Sequence, residues 1–200
     1  MMNLGETKAD RTRAFIIERA SELFNKKGYA GTSLSDVMSV TGLSKGGIYG
    51  NFENKEEVAL AVFEYNCLQV KKIFDKEVNN ALTYHERLMA YAKMYGISKG
   101  VLDKGGCPIL NTAVEADDTN PLLKKKAAVA IQQWRERLEL LIQKGILAGE
   151  FKKDAAIKKT ALSIMSIVEG GLMIRRATDD PFSVEFILDT VEKIINQIEV

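Results

Sequence analysis

Apolar residues recur at helical spacing along nearly the whole chain, and this periodicity constrains the fold more than any other feature. Ile16, Ala20 and Phe24 lie four residues apart, and Trp134 and Leu138 repeat the same interval. Side chains three or four residues apart share one face of an α-helix, whereas a half-buried strand alternates every second residue. No segment shows a convincing alternation. The sequence therefore predicts an all-α protein.

Helix-start signals divide this pattern into about nine helices. A proline in the first helical turn loses no hydrogen bond, so starts are predicted at Cys107-Pro108, Asn120-Pro121 and Asp180-Pro181. Capping boxes, which satisfy free amides with a side-chain oxygen and a carboxylate three residues later, are predicted to begin at Ser33, Asn54 and Thr83. Single caps are predicted at Ser44 and Asp154. The predicted helices cover 9–27, 34–40, 45–51, 55–79, 84–101, 108–117, 121–145, 154–176 and 181–198.

Residues 33–52 predict a helix, a tight turn and a second, short helix. Val37 and Val40 face inward from the first helix, and Gly42 permits the left-handed turn. Ile48 and Phe52 bury one face of the second helix. A helix-turn-helix of this kind places its second helix in the major groove of DNA.

Three glycines in the second helix, Gly46, Gly47 and Gly50, each cost about 1 kcal/mol relative to alanine in a helix interior. Without side chains there, the helix backbone can approach base edges and sugars closely. Lysine can pair with guanine, asparagine with adenine, and tyrosine or lysine with phosphate. Lys45, Tyr49 and Asn51 offer those groups. The residues alone leave open a loop of poor helical propensity instead.

The stretch "RAFIIERASELFNKKGYAGTSLSDVMSVTGLSKGGIYGNFENKEEV" closely resembles the N-terminal domain of TetR-family transcriptional regulators, over roughly residues 11–60. The shared elements are the aromatic end of the first helix at Leu23 and Phe24, the "KGYAGTSLSDV" link, "GLSKGGIYGNF", and "NKEEV" opening the fourth helix. The resemblance implies a homodimeric regulator with a helix-turn-helix domain over residues 1–55. It also implies a helical ligand-binding and dimerisation domain over residues 56–200. Beyond about residue 65 only the helix count and the helical ending resemble the family.

The resemblance also assigns DNA-facing positions. Recognition-helix positions that face DNA in the family correspond to Lys45, Gly46, Gly47, Tyr49 and Asn51, and positions that touch phosphate correspond to Thr32, Ser33, Tyr49 and Lys55. Ser44, the cap of the second helix, is assigned to the same surface. Gly50 departs from the family pattern, in which a bulky or polar side chain is usual. Shape readout of DNA then contributes more than direct base contacts.

The remaining helices offer a dimer interface and a pocket. Residues 154–198 carry two long apolar helical faces with small residues between them, and resemblance to the family favours a four-helix homodimer interface over burial within one chain. Tyr91, Tyr95 and Trp134 are predicted to line a small-molecule pocket, although core packing explains the same residues. Cys107 is assigned to this pocket. At a helix N-terminus the dipole can lower its thiol pKa, as in a redox sensor, but an inert cap is favoured because no resolving cysteine is nearby.

Net charge, the lack of targeting signals and the few cysteine and histidine residues limit the classes of function that the chain can have. The net charge of +1 excludes a polyanion partner over the whole surface, so any nucleic-acid contact must be local. No secretory signal or membrane span is evident, and a cytoplasmic protein is expected. Two distant cysteines and the single His85 provide no metal site, cofactor motif or catalytic triad, so an enzyme is not expected.

The resulting hypothesis is a ligand-responsive transcriptional regulator. It binds a palindromic DNA operator as a homodimer, acts as a repressor, and is released by a small-molecule inducer, with helix 55–79 transmitting the change. The alternative is a helical ligand-binding or scaffold dimer without sequence-specific DNA binding, which Gly50 favours.

Overall fold

The structure, a computed structural model, describes residues 7–97, 102, 104–179 and 183–200. Within these ranges the chain forms nine helices and one isolated β-bridge between Phe151 and Glu199. The helices are α1 Lys8–Lys27, α2 Leu34–Thr41, α3 Lys45–Tyr49, α4 Lys55–Asn80, α5 Tyr84–Ile97, α6 Pro108–Ala116, α7 Pro121–Ala148, α8 Ile157–Thr178 and α9 Ser183–Asn196. The predicted all-α fold is confirmed.

Most predicted helix starts coincide with side-chain caps in the structure. The capping box of α2 is complete, because Ser33 Oγ accepts from the Asp36 amide and the Asp36 carboxylate accepts from the Ser33 amide. The box at Asn54 is only half formed. The Asn54 side chain accepts from the Glu57 amide, but the Glu57 carboxylate turns to the amide of Glu53. The predicted start at Asp180-Pro181 lies outside the described residues.

Several predicted helix boundaries differ from those in the structure by two or three residues. Helix α8 begins at Ile157 rather than at a cap by Asp154, and its N-cap residue, Ala156, has no side chain that can accept a hydrogen bond. Helix α7 continues past Gly145. This glycine does not end the helix; packing explains its presence, because a Cβ there would overlap the ring of Phe151. Helix α3 ends at Tyr49, two residues early. The predicted end of α5 at residue 101 lies outside the described residues.

Two hydrophobic clusters form the interior. The N-terminal core contains Ile16, Ala20, Phe24, Val37, Ile48, Phe52, Val58, Ala59 and Val62. The larger C-terminal core is built from α4 to α9, and Phe63, Val70 and Phe74 are the contribution of α4. Helix α4 thus belongs to both cores. Val40 was predicted to face inward and is instead 39% exposed.

Helix α6 forms a second connection between the cores, which we call the α6 latch, made by Asn111 and Glu115. The two carboxylate oxygens of Glu115 accept from the amides of Tyr29 and Ala30, both at 2.9 Å. Asn111 Nδ2 donates to the backbone oxygen of Asn25 at 3.1 Å. The latch therefore fixes α6 against the loop that leads from α1 to α2.

Candidate nucleic-acid interface

The turn between α2 and α3 has the geometry of a helix-turn-helix. Gly42 is left-handed, with φ of 69°, and its amide donates to the Met38 carbonyl at 2.8 Å. Ser44 Oγ then accepts from the Gly47 amide at 3.2 Å and begins α3. Ile48 is fully buried in the N-terminal core, which fixes the rotation of α3 about its axis. The opposite face of this short helix is turned outward.

Lys45, Gly46 and Tyr49 make up that outward face. All three are exposed, and Lys45 Nζ lies 5.9 Å from the centroid of the Tyr49 ring. Lys45 forms no ion pair with the described part of the chain. A cation and an aromatic ring with a phenolic hydroxyl are groups that bind phosphate and base edges.

The glycines of α3 differ in what surrounds them. A Cβ added at Gly46 would find its nearest neighbour at 3.9 Å, and one at Gly47 at 3.4 Å, which is ordinary van der Waals contact. A Cβ at Gly50 would lie 3.1 Å from the Gly46 carbonyl oxygen, so this position has a local reason to be glycine. Packing within the chain does not require glycine at 46 or 47.

Asn51 is tied to the end of α3. Its Nδ2 donates to the Gly47 carbonyl at 2.9 Å, and its own carbonyl accepts from the Arg13 guanidinium. Arg13 also pairs with Glu57 at 2.7 Å and lies 4.0 Å from the centroid of the Phe52 ring. A hydrogen bond from the Glu53 amide, and then the Arg13 guanidinium, lower the pKa of Glu57. In this conformation, a base contact by Asn51 requires the Gly47 bond to open.

The other assigned phosphate contacts support the loop before α2. Thr32 is buried and its hydroxyl donates to the Gly28 carbonyl at 2.7 Å. Ser33 is exposed, but its hydroxyl is engaged with Asp36. Lys55 Nζ donates to the carbonyls of Tyr29 and Thr32 at 2.8 and 3.0 Å. The structure therefore brings Ser44, Lys45, Gly46, Gly47 and Tyr49 together on one surface, whereas Thr32 and Lys55 hold the loop beneath it.

The aromatic residues assigned to a pocket lie in the C-terminal core. Tyr91, Tyr95 and Trp134 are buried, with ring centroids 5.8 Å apart for the two tyrosines and 5.5 Å apart for Tyr91 and Trp134. Both tyrosine hydroxyls donate to Glu169 Oε1, at 3.1 and 2.6 Å. Sequence reasoning missed Glu169, because a single charge within an apolar helical stretch carries no sign of its partners.

The thiol pKa of Cys107 is raised, so the lowered pKa of a redox sensor is not found. Cys107 caps α6, where its Sγ accepts from the Leu110 amide at 3.5 Å, but the side chain is 1% exposed. Burial raises the thiol pKa, and the nearby Glu169 carboxylate raises it further. Burial likewise raises the pKa of Glu169, against the hydrogen bonds from Tyr95 and Tyr91. Desolvation outweighs the helix dipole at this position.

The four residues assigned to a single pocket do not share one cavity. A groove of about 640 Å³ between α4 and α7 has Trp134, Phe63 and Cys67 in its lining. A second cavity of about 680 Å³, between the end of α1, α6 and the end of α8, is lined in part by Cys107. Tyr91 and Tyr95 line neither of these cavities and pack in the core between helices.

The described residues offer neither a metal-binding cluster nor a membrane-spanning helix. They contain no cluster of three or more His, Cys, Asp or Glu side chains suited to a metal ion. None of the described helices combines the length and apolar character needed to cross a bilayer.

A helix-turn-helix on a small N-terminal core, continued through α4 into a larger helical core, defines a class of DNA-binding protein. Residues 16–62 match the profile of "Bacterial regulatory proteins, tetR family", and residues 85–191 match "Tetracyclin repressor-like, C-terminal domain". The chain belongs to the TetR family of transcriptional regulators.

Solved structures and curated relatives agree with this assignment. A TetR-family regulator from Cytophaga hutchinsonii is 47% identical, with a TM-score of 0.93 over 97% of this chain and 98% of that one. A TetR regulator from Chloroflexus aurantiacus J-10-FL is 36% identical, with a TM-score of 0.87 over 96% and 98%. The transcriptional repressor DhaR of Mycobacterium sp. (strain GP1) is 23% identical over 80% of each chain. The protein is thus a DNA-binding transcriptional regulator and not an enzyme.

Proposed function

We propose that this protein is a repressor that binds a palindromic operator as a homodimer and releases it when a small molecule binds the helical core. Residues 1–55 form the DNA-binding domain and residues 56–200 the ligand-binding and dimerisation domain. The separation of the N-terminal and C-terminal cores supports this division, and α4, which belongs to both, links them. The likeness to a relative named as a repressor supports the sign of regulation.

The observation that carries the proposal is the bare outer face of α3. Lys45 and Tyr49 flank a helix surface at Gly46 and Gly47 on which the fold itself places no steric demand for glycine. Both glycines lower helix stability, so their advantage lies in close contact with an outside molecule. A major groove, with phosphate on its rim and base edges on its floor, supplies such a contact.

Exposed apolar residues on α8 and α9 support a homodimer. Leu162, Met173, Ile174 and Phe186 are all more than half exposed, and a Cβ at Gly170 would meet open space. Large apolar side chains clustered on a surface favour association. Packing α8 and α9 of one protomer against those of its partner forms a two-fold four-helix interface, which supplies two recognition helices for a palindrome.

The groove between α4 and α7 is the candidate inducer site. Its volume of about 640 Å³ suits a small molecule, and Trp134 lies in its lining. Helix α4 runs from this groove to Lys55, whose ammonium group binds the carbonyls of the loop before α2. A ligand that favours a different position of α4 therefore changes the position of the DNA-binding domain.

The test is selection of random duplex DNA at moderate salt by the wild type and by a Lys45→Ala, Tyr49→Ala variant. Lys125→Ala, which removes an exposed lysine of α7 outside the proposed interfaces, is the control. Enrichment of one palindrome by the wild type and the control, but not by the double variant, is expected. Enrichment that survives in the double variant contradicts the role of α3, and no enrichment at any salt favours a scaffold.

The inducer part of the proposal has a separate test. Inducer and operator must weaken each other's binding by the same factor. Trp134 is the only tryptophan, so its fluorescence reports ligands that enter the groove. A ligand that changes this fluorescence without changing operator affinity contradicts release by that ligand.

A further inference from the structure

The cavity between α1, α6 and α8 lies where the N-terminal core meets the C-terminal core. Its wall includes Phe24 and Asn25 at the end of α1, Leu110 and Asn111 in α6, and Leu172 in α8. Its volume of about 680 Å³ lies within the usual range for small-molecule sites, about 300–1,000 Å³. The cavity is distinct from the groove between α4 and α7, and none of the proposed functions above uses it.

Each of the three helices contributes an apolar side chain to the wall: Phe24, Leu110 and Leu172. Leu172 is buried at the α8 side, and Leu110 packs against the C-terminal core. Val114 borders the same cavity and is 66% exposed. Exposed apolar surface beside a concave wall favours a ligand with an apolar portion.

Among the described residues, three cations border the cavity, and two of them have ion-pair partners. Lys26 pairs with Glu22 at 2.7 Å, and Lys27 pairs with Asp36 at 2.8 Å. The carboxylate of Glu115 is occupied by the two loop amides of the α6 latch. Arg176 forms neither an ion pair nor a hydrogen bond with the described ranges of the chain.

The stem of Arg176 has a defined position. Gly106 has φ of 82°, and a Cβ on it would lie 2.9 Å from Arg176 Cδ. The arginine stem therefore lies directly over a glycine backbone beside the cavity. A guanidinium presents parallel N–H donors that match a carboxylate in a bidentate pair.

We propose that this cavity binds an amphipathic monoanion, a carboxylate with an aliphatic tail. The carboxylate pairs with Arg176 at the rim, and the tail lies against Leu110 and Leu172. Because Asn25 and Asn111 belong both to the cavity wall and to the contacts that join the cores, the ligand binds a particular arrangement of the two cores. The binding itself does not depend on DNA, whereas its effect on DNA affinity rests on the proposed repressor function.

Calorimetric titration of the full chain with sodium octanoate tests the site, with 1-octanol as the uncharged probe and octyltrimethylammonium as the cationic one. Saturable binding of one octanoate per chain is expected, with 1-octanol and the cation at least about tenfold weaker, which corresponds to about 1.4 kcal/mol. No saturable octanoate binding overturns the proposal. Equal affinity for 1-octanol overturns the assignment of an anion.

Two variants locate the binding, and a third serves as a control. Arg176→Gln removes the cation and is expected to weaken octanoate by about tenfold, because a charge-assisted pair is lost. Ala177→Phe places a ring at the exposed rim and is expected to weaken octanoate and 1-octanol alike. Lys125→Gln removes a charge from α7 away from the cavity and should leave the affinity unchanged. Equal losses in Arg176→Gln and Lys125→Gln overturn the site.

Sedimentation and operator binding complete the test. If octanoate binds only below the concentration at which the chain dimerises, a second copy covers the cavity and the proposal fails. Operator binding that is intact, with no octanoate binding, rejects this site and leaves the repressor function standing. Octanoate binding by a chain that selects no DNA supports this site and rejects the repressor function.

Discussion

Removing the Glu115 carboxylate tests the α6 latch. A hydrogen bond to a charged group contributes about 1.5–3 kcal/mol when shielded from water. The two bonds from the amides of Tyr29 and Ala30 are partly exposed, so about 1 kcal/mol each is appropriate. For a chain of this size, 1 kcal/mol shifts Tm by about 2–4 °C. Glu115→Ala should therefore lower Tm by about 4–8 °C.

The matched control is Asp118→Ala, which removes the same charge two residues beyond the end of α6, where the side chain is exposed. Tm is measured for both variants at low and moderate salt, and amide exchange of Tyr29 and Ala30 is followed by NMR. Faster exchange at those two amides is expected only in Glu115→Ala. Equal Tm values and unchanged exchange in the two variants would refute the reasoning, because the carboxylate would then contribute only its charge.

Four further outcomes are expected. Gly46→Ala should raise the free energy of unfolding by up to about 1 kcal/mol and weaken operator binding, as followed by denaturant unfolding and gel shift; a loss of stability contradicts the open space there. Gly28→Ala should cost about 1–3 kcal/mol in urea unfolding, because φ is 72° and a Cβ overlaps the Glu115 carboxylate. Burial raises the pKa of Cys67 to about 12 and also raises that of Cys107, so a thiol reagent at pH 8 should label the folded chain much more slowly than the unfolded chain; rapid labelling of the folded chain contradicts this. The pKa of Glu57 is lower in the folded chain than its unfolded value near 4.5. The ionised carboxylate therefore stabilises the fold above about pH 4.5, and this stabilisation is lost as the pH falls through the folded pKa. Glu57→Gln should flatten the dependence of Tm on pH below about pH 5, and an unchanged dependence rejects this role.

Features that depend on neighbours within four residues were predictable from sequence. The caps at Ser33, Ser44 and Asn54 need only a side chain and an amide three residues later, so the pattern itself contains both partners. The left-handed turn at Gly42 is equally local. These short-range signals were sufficient to position the helix-turn-helix.

Contacts between distant residues were not predictable. Glu115 meets Tyr29 across 86 positions, and Glu169 meets Tyr95 across 74, and neither partner carries a mark of the other in the sequence. The family resemblance assigned Lys55 to a phosphate contact. The sequence could not show that the loop before α2 brings two backbone carbonyls within hydrogen-bond distance of the Lys55 ammonium group. The aromatic residues at 91, 95 and 134 were recognisable as interior, but periodicity alone does not distinguish a packed core from a cavity.

Helix α4 has 26 residues, which at 1.5 Å per residue makes a rod of about 39 Å. A tilt of about 5° about its midpoint moves each end by about 1.7 Å. In the proposed dimer two such rods tilt in opposite directions, so the separation of the recognition helices changes by about 3.4 Å, the rise of one base pair. A tilt of α4 by about 5° is thus sufficient to produce a mismatch of one full step along the DNA.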